Sequence, residues 1–373
     1  MHAITAHWIT DRRFDLLCYI APCLASYLLL YANLALAVPV MFLWWLWVVV
    51  IDGPHVFGTI SRTYLDAEEW RTRRPLLLGS LLWFLLGPAA VGIGVATGSR
   101  SPYQVFLLFA SLWAYWHVVR QHYGFLCLYQ RKNGEPAGRE NALDYWLFYI
   151  LMIAPLACFV LLNEQARDVV MLSALSRGQL DAAVTLARGA VFAALAVYVG
   201  KEWLRWQRGE PLNGPKNLLL LSVVPVHLVV CMYEPVATHL HLLMFSVAVT
   251  VHHNVQYHGI VWFYNRNRYR GEGARERFGP MATWVSRSFW VYYAIGLLFT
   301  FVVRYSSWIF TGMPEIPGGP GPNFISETRL GGSYSVAELA VAFWWGFAFH
   351  HYYLDQRIWR VSRDRQVQSG LRV

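Results

Sequence analysis

The chain has 373 residues, of which 56% are hydrophobic, 16% aromatic and only 14% charged, and its mean hydropathy is +0.35. Soluble domains average roughly 45–50% apolar and about 25% charged residues, so a soluble enzyme and a disordered chain are both excluded. The formal net charge of +9 would point to nucleic acid on a soluble protein, but on a membrane protein such an excess records topology.

A helix needs roughly 20 mostly apolar residues to cross a bilayer. Runs of that kind lie at about 15–33, 36–58, 75–97, 103–127, 143–163, 183–203, 216–233, 237–263, 288–305 and 336–355. They predict an all-α, polytopic transmembrane helix bundle of about ten spans, forming a single integral-membrane domain over 1–373. A cleaved secretory signal is the rival reading of 1–37, because Arg12 and Arg13 precede an apolar run containing Ala-Leu-Ala. That run is long for a signal core, and cleavage would leave nine spans. The five cysteines (Cys18, Cys23, Cys127, Cys158, Cys231) lie in apolar runs without CxxC spacing and read as small buried hydrophobes. The longest extramembrane piece, about 305–335, contains Pro314, Pro317, Pro320 and Pro322 with several glycines, and is expected to form a loop or cap on the outer side.

The basic residues orient these spans. With a cytoplasmic N-terminus, 25 of the 31 lysines and arginines fall on one side: Arg12 and Arg13, the stretches 62–74, 120–139, 201–216 and 266–287, and the tail from Arg357. Only Arg100, Arg167, Arg177, Arg188, Arg304 and Arg329 fall on the other. The bias of short loops sets orientation, so both termini are expected in the cytoplasm, with the protein in a bacterial inner (plasma) membrane.

Histidines cluster on the even-numbered spans, which run toward the cytoplasm. His55 follows Asp52-Gly-Pro, His117 and His122 stand in WHVVRQHYGF, His252, His253 and His258 in VHHNVQYHGI, and His350 and His351 in FHHYYLDQRIW. Eight imidazoles from four helices are expected just inside the cytoplasmic boundary. Intramembrane ionisable residues mark functional sites, and imidazole is a ligand for iron, zinc, copper and nickel. Eight are too many for one tetrahedral zinc and suit two metal ions. For the other five, His2, His7, His227, His239 and His241, an interhelical hydrogen bond or an interfacial position facing water is the expected account.

Two carboxylates accompany the histidines. Asp52 and His55 are three residues apart, and His351 and Asp355 four, so each pair shares a helix face. Asp52 and Asp355 are therefore the candidate catalytic groups, either bridging metals or orienting histidines. Gln121, Asn254 and Gln256 are further orienting candidates. His117/His122 and His253/His258 are each five apart, about 140° around a regular helix. Either the helix bulges there in a π-turn, or each helix serves two different metals.

The His117-Val-Val-Arg-Gln-His122 and His253-Asn-Val-Gln-Tyr-His258 boxes, with the pairs His252-His253 and His350-His351, resemble the integral-membrane histidine-rich diiron oxygenases. That group includes desaturases, alkane hydroxylases and Brp/Blh-like carotene-cleaving enzymes. The resemblance covers four short segments, lacks the desaturase His-x-x-His-His, and carries more spans than the four usual there. It implies two iron ions, dioxygen, and hydroxylation, desaturation or oxidative cleavage of a hydrophobic substrate drawn from the bilayer. An external electron donor is implied for the reductive variants, since the sequence has no flavin or nucleotide motif. The bottom-up rivals are a zinc-dependent membrane hydrolase, although His-Glu-x-x-His is lacking, and a non-enzymatic haem or metal carrier or transporter. Nucleic acid is not an expected partner. The basic loops are accounted for by topology alone.

Overall fold

The computed structural model describes residues 4–312 and 321–373. Pro314, Pro317 and Pro320 of the expected outer loop, and His2, lie outside the described residues. Ten long helical segments occur among those described: α1 (Arg12–Leu34), α2 (Val40–Thr63), α3 (Ala67–Thr97), α4 (Ser101–Lys132), α5 (Ala142–Leu162), α6 (Arg177–Gln207), α7 (Gly214–Met232), α8 (Leu242–Arg268), α9 (Phe289–Thr311) and α10 (Val336–Ile358). Seven of them, α1–α3, α5–α7 and α9, are long and apolar enough to cross a membrane by length and composition. The other three, α4, α8 and α10, carry seven of the eight histidines singled out above.

Local chemistry sets the helix ends. The Asp11 carboxylate accepts the Phe14 amide at 2.8 Å to open α1, and Ser176 with Gln179 forms a capping box at the start of α6. Such caps satisfy amides that have no partner inside the helix. Gly98 and Gly312 close α3 and α9 in the left-handed conformation, both at φ 64°, which a side chain would disfavour. Helix α3 breaks at Arg73 (φ −123°, ψ 20°), two residues ahead of Pro75, whose ring removes a donor and crowds the preceding turn. π-turns interrupt α1 at Leu16–Ile20 and α2 at Val48–Asp52.

The chain divides into two compact units. The first comprises 1–40, 116–253 and 373, and the second 41–115 and 254–372.

In the first unit α6 and α7 both pack on α5, and Ile4–Thr5 pairs in parallel with Leu212–Asn213. An ionic cluster forms where α5 and α7 begin and α6 ends. The fully buried Lys216 ammonium lies 2.8 Å from Glu135, 3.3 Å from Asp144 and 3.5 Å from Glu202. Lys201 joins Asp144 and Glu202, and Arg205 meets Glu135 at 2.7 Å. Apolar side chains point the other way: Leu186 is 77%, Phe192 62% and Val199 64% exposed along α6. Charges inside and hydrocarbon outside invert the pattern of a protein dissolved in water.

In the second unit α10 packs on the second half of α3, and α9 on α2. The α3–α10 contact is close because Gly87 has no side chain. A Cβ there would lie 2.2 Å from the carbonyl oxygen of Ala342. Trp113 stacks on Phe349 (centroids 5.2 Å, 16°), and Tyr103, Phe106 and Trp83 complete an aromatic core. The buried Arg62 guanidinium lies 4.2 Å over the ring of Tyr264 and 3.8 Å over that of Trp359, and donates to the carbonyl of Ile358 at 2.6 Å.

Within the expected 305–335 loop, α9 continues to Thr311, and the described residues beyond it form a short helix (Phe324–Glu327) and a hairpin pairing Arg329–Gly331 with Tyr334–Ser335. Arg304, near the end of the 288–305 run, lies inside α9. It pairs there with Asp52 at 3.4 Å. A charge within an apolar helix requires such a counter-ion.

The tail helix Arg365–Leu371 is tied back by Asp364, which accepts the amides of Gln366 (2.9 Å) and Val367 (3.3 Å) and pairs with Arg73. Burial pushes this carboxyl up, but Arg73 and the two amides outweigh it and hold the pKa below its ordinary 3.8. The carboxylate therefore stabilises the fold above that value, and the contribution disappears as pH falls through the lower folded value. Asp364→Ala is expected to loosen the tail helix by about 1 kcal/mol at neutral pH. By hydrogen exchange of the tail amides, the difference from wild type should close as pH falls through the carboxyl's lowered folded value.

Candidate metal sites

The first unit brings together three imidazoles from three helices: His122 on α4, His227 on α7 and His252 on α8. One ring nitrogen of each lies within 4.8 Å of those of the other two. Ring centroids are 5.0 Å apart for His122–His252, 5.9 Å for His227–His252 and 6.3 Å for His122–His227. All three residues are fully buried. With metal–nitrogen bonds of about 2 Å, small rotations suffice for one cation to engage all three. Ser26 of α1 holds His252 from behind, its Oγ lying 3.0 Å from Nδ1, while His252 Nε2 is buried with no hydrogen-bond partner among the described residues. His117 and His253 form an adjacent pair (centroids 5.0 Å), with His253 also 6.1 Å from His122. Gln121 donates to the backbone carbonyl of His253 at 2.8 Å, supporting the helix backbone instead of an imidazole.

The five-residue spacings are resolved without any bulge. Helices α4 and α8 run regularly through all their histidines, and the π-turns lie in α1 and α2 instead. His253 therefore stays with His117 in the first unit, while His258 faces groups of the second. There its Nδ1 lies 3.1 Å from the Tyr292 hydroxyl and its Nε2 3.3 Å from the carbonyl of Ile51. Both ring nitrogens of His258 are thus already engaged.

In the second unit His55 Nε2 and His351 Nε2 face one another at 2.8 Å. Thr59 Oγ1 sits behind His351, 2.6 Å from its Nδ1, 2.8 Å from Asp355 Oδ1 and 2.8 Å from the Tyr257 hydroxyl. Tyr257 also donates to Asp355 Oδ1 at 2.8 Å. Asp355 thus acts on His351 through Thr59, in the manner of carboxylates that orient ligating imidazoles. Its own oxygen is 3.7 Å from His351 Nδ1. Asp52 is engaged elsewhere, accepting from Asn254 at 3.2 Å and pairing with Arg304. Asp52 keeps its three-residue offset to His55, and its carboxylate is taken up by Asn254 and Arg304. His350 turns toward Tyr64, whose hydroxyl lies 2.8 Å from its Nε2.

His122 is ten residues short of the end of α4, and His252 sixteen short of the end of α8, or about 15 and 24 Å at 1.5 Å per residue.

His227, Ser26, Thr59 and Tyr257 escape the sequence. His227 is a lone histidine in an apolar helix. The one available signal was that it is the single histidine in the odd-numbered spans, lying near the middle of its run.

Comparison with known proteins returns no match: no family model, curated protein or solved structure corresponds to this chain.

Proposed function

We propose that the protein is an integral-membrane, metal-dependent oxidoreductase that uses dioxygen to oxidise a hydrophobic, lipid-like substrate. The observation that carries this reading is the fully buried His122–His227–His252 group, a ligand set suited to iron, zinc, copper or nickel. Iron is the assigned metal, in two ions, with the triad holding one and the His55–His351 pair contributing to the other. Iron would supply the one-electron steps that activate dioxygen. Ten spans with both termini in the cytoplasm accommodate the charge ledger. Substrate and dioxygen both partition into lipid and reach the histidines without crossing water. Hydroxylation or desaturation consumes one dioxygen with two electrons and two protons from an external donor. Cleavage of a carbon–carbon double bond places both oxygen atoms in the products and needs no donor.

Elemental analysis of the detergent-purified protein is the test. Two equivalents of iron are expected, together with 18O incorporation or desaturation in extracted lipids incubated under 18O2. Haem absorbance, or a metal-free protein, would overturn the reading. A zinc-dependent hydrolase is the second reading, favoured by one feature: three imidazoles with a water completing the set also make a catalytic zinc site. One equivalent of zinc without iron would select it.

A further inference from the structure

We infer that the His122–His227–His252 site holds a divalent cation together with one small exogenous anion, and that Ser26 is the positioning residue selecting the His252 nitrogen that faces the cation. This rests on the metal-centre reading above and names the ligand that completes that centre.

Charge carries the inference first. The group contains three imidazoles and no carboxylate or thiolate, so the protein ligands bring no negative charge. All three residues are fully buried, where an uncompensated divalent charge is strongly unfavourable. Among the described residues, the buried acids of the first unit are committed elsewhere. Asp144 and Glu202 are held by Lys201 and Lys216. Asp15 accepts from the amides of Ile9 and Thr10 and from the Tyr129 hydroxyl. Among the described residues of the first unit no uncommitted buried acid remains, and an anion from outside the chain would supply the compensating charge. A centre with three protein ligands also leaves a coordination position open for it.

Ser26 carries the second part. Its Oγ is 3.0 Å from His252 Nδ1, and His252 Nε2 is buried without a partner among the described residues. An Nδ1–H donating to the serine oxygen leaves the lone pair on Nε2, the tautomer that ligation requires. Hydroxide, cyanide and azide are small monoanions of the kind that would complete such a set, each through one coordinate bond from its own lone pair with no electrons transferred.

The test uses the full-length protein in detergent, stripped of metal and loaded with Co2+, with visible absorption followed during titration with azide. The expected result is a set of Co2+ bands that shifts in one saturable, one-to-one step. His227→Ala should lose both bands and azide response, whereas the exposed His239→Ala should keep both. Ser26→Ala should weaken Co2+ binding by about 10–100-fold, and Ser26→Thr should restore it. Bands indifferent to azide, or bands that persist in His227→Ala, overturn the inference. Failure to bind Co2+ at all would sink both this inference and the proposed function. An azide response in a protein that oxidises no substrate would leave the inference standing and remove the oxidoreductase reading alone.

Discussion

His252→Ala is expected to lower metal affinity at the first unit's site by at least 100-fold, beyond what loss of a mere orienting partner typically produces, about 10–100-fold. Metal-dependent turnover should fall in parallel. His252 is the sharpest position for this test because its ring lies near both other members and its Nε2 is left open by Ser26. Removing it leaves two imidazoles, too few to define a centre on their own. The informative companion is His258→Ala, six residues along the same helix. Its ring nitrogens are occupied by Tyr292 and the Ile51 carbonyl, so that variant should lose about 1–3 kcal/mol of stability while retaining metal at the first unit's site. Inductively coupled plasma analysis and thermal unfolding of both proteins separate the outcomes. Equal metal loss in the two would mean that the helix as a whole, and not the triad, is being disturbed.

Lys216→Ala is the substitution expected to damage the fold most. The ammonium is wholly buried among Glu135, Asp144 and Glu202, with Lys201 and Arg205 as the remaining cations. Deleting one member of a buried ionic group leaves opposing charge uncompensated, at about 3–5 kcal/mol. The same substitution on an exposed lysine would register within about 0.5 kcal/mol. A double variant, Lys216→Ala with Asp144→Ala, should be less destabilised than the sum of the singles by about 0.5–3 kcal/mol. Unfolding in detergent at several salt concentrations provides the check. A buried cluster is little screened, whereas a surface pair would weaken visibly as salt rises. Simple additivity of the two substitutions would show that the charges do not act as one unit.

Much of the architecture was legible because a bilayer imposes a length on apolar runs. Every run read from the sequence has a long helix in its place, from 15–33 within Arg12–Leu34 to 336–355 within Val336–Ile358. Helix ends were less legible. The 288–305 run stops one residue past Arg304, whereas α9 continues to Thr311, with Asp52 pairing with Arg304. In the sites, pattern located His122 and His252 but not His227, because its neighbours are contributed by other helices and no local spacing encodes them. Asp355 was readable from its four-residue offset to His351, but the intermediary Thr59 was not, since a threonine in a helix carries no distinguishing signal. Asp52 has its own partners, Asn254 and Arg304, contributed by other helices, and no local spacing encodes them.

The π-turn at Val48–Asp52 gives α2 the character of a clutch. Its single added residue sets Val40–Trp47 and Gly53–Thr63 out of phase by about 100°, so the surface carried by the first segment and the one carrying His55 are indexed separately. A residue gained or lost in Val40–Trp47 can be absorbed at the turn, changing what that segment presents while His55 keeps its bearing toward His351.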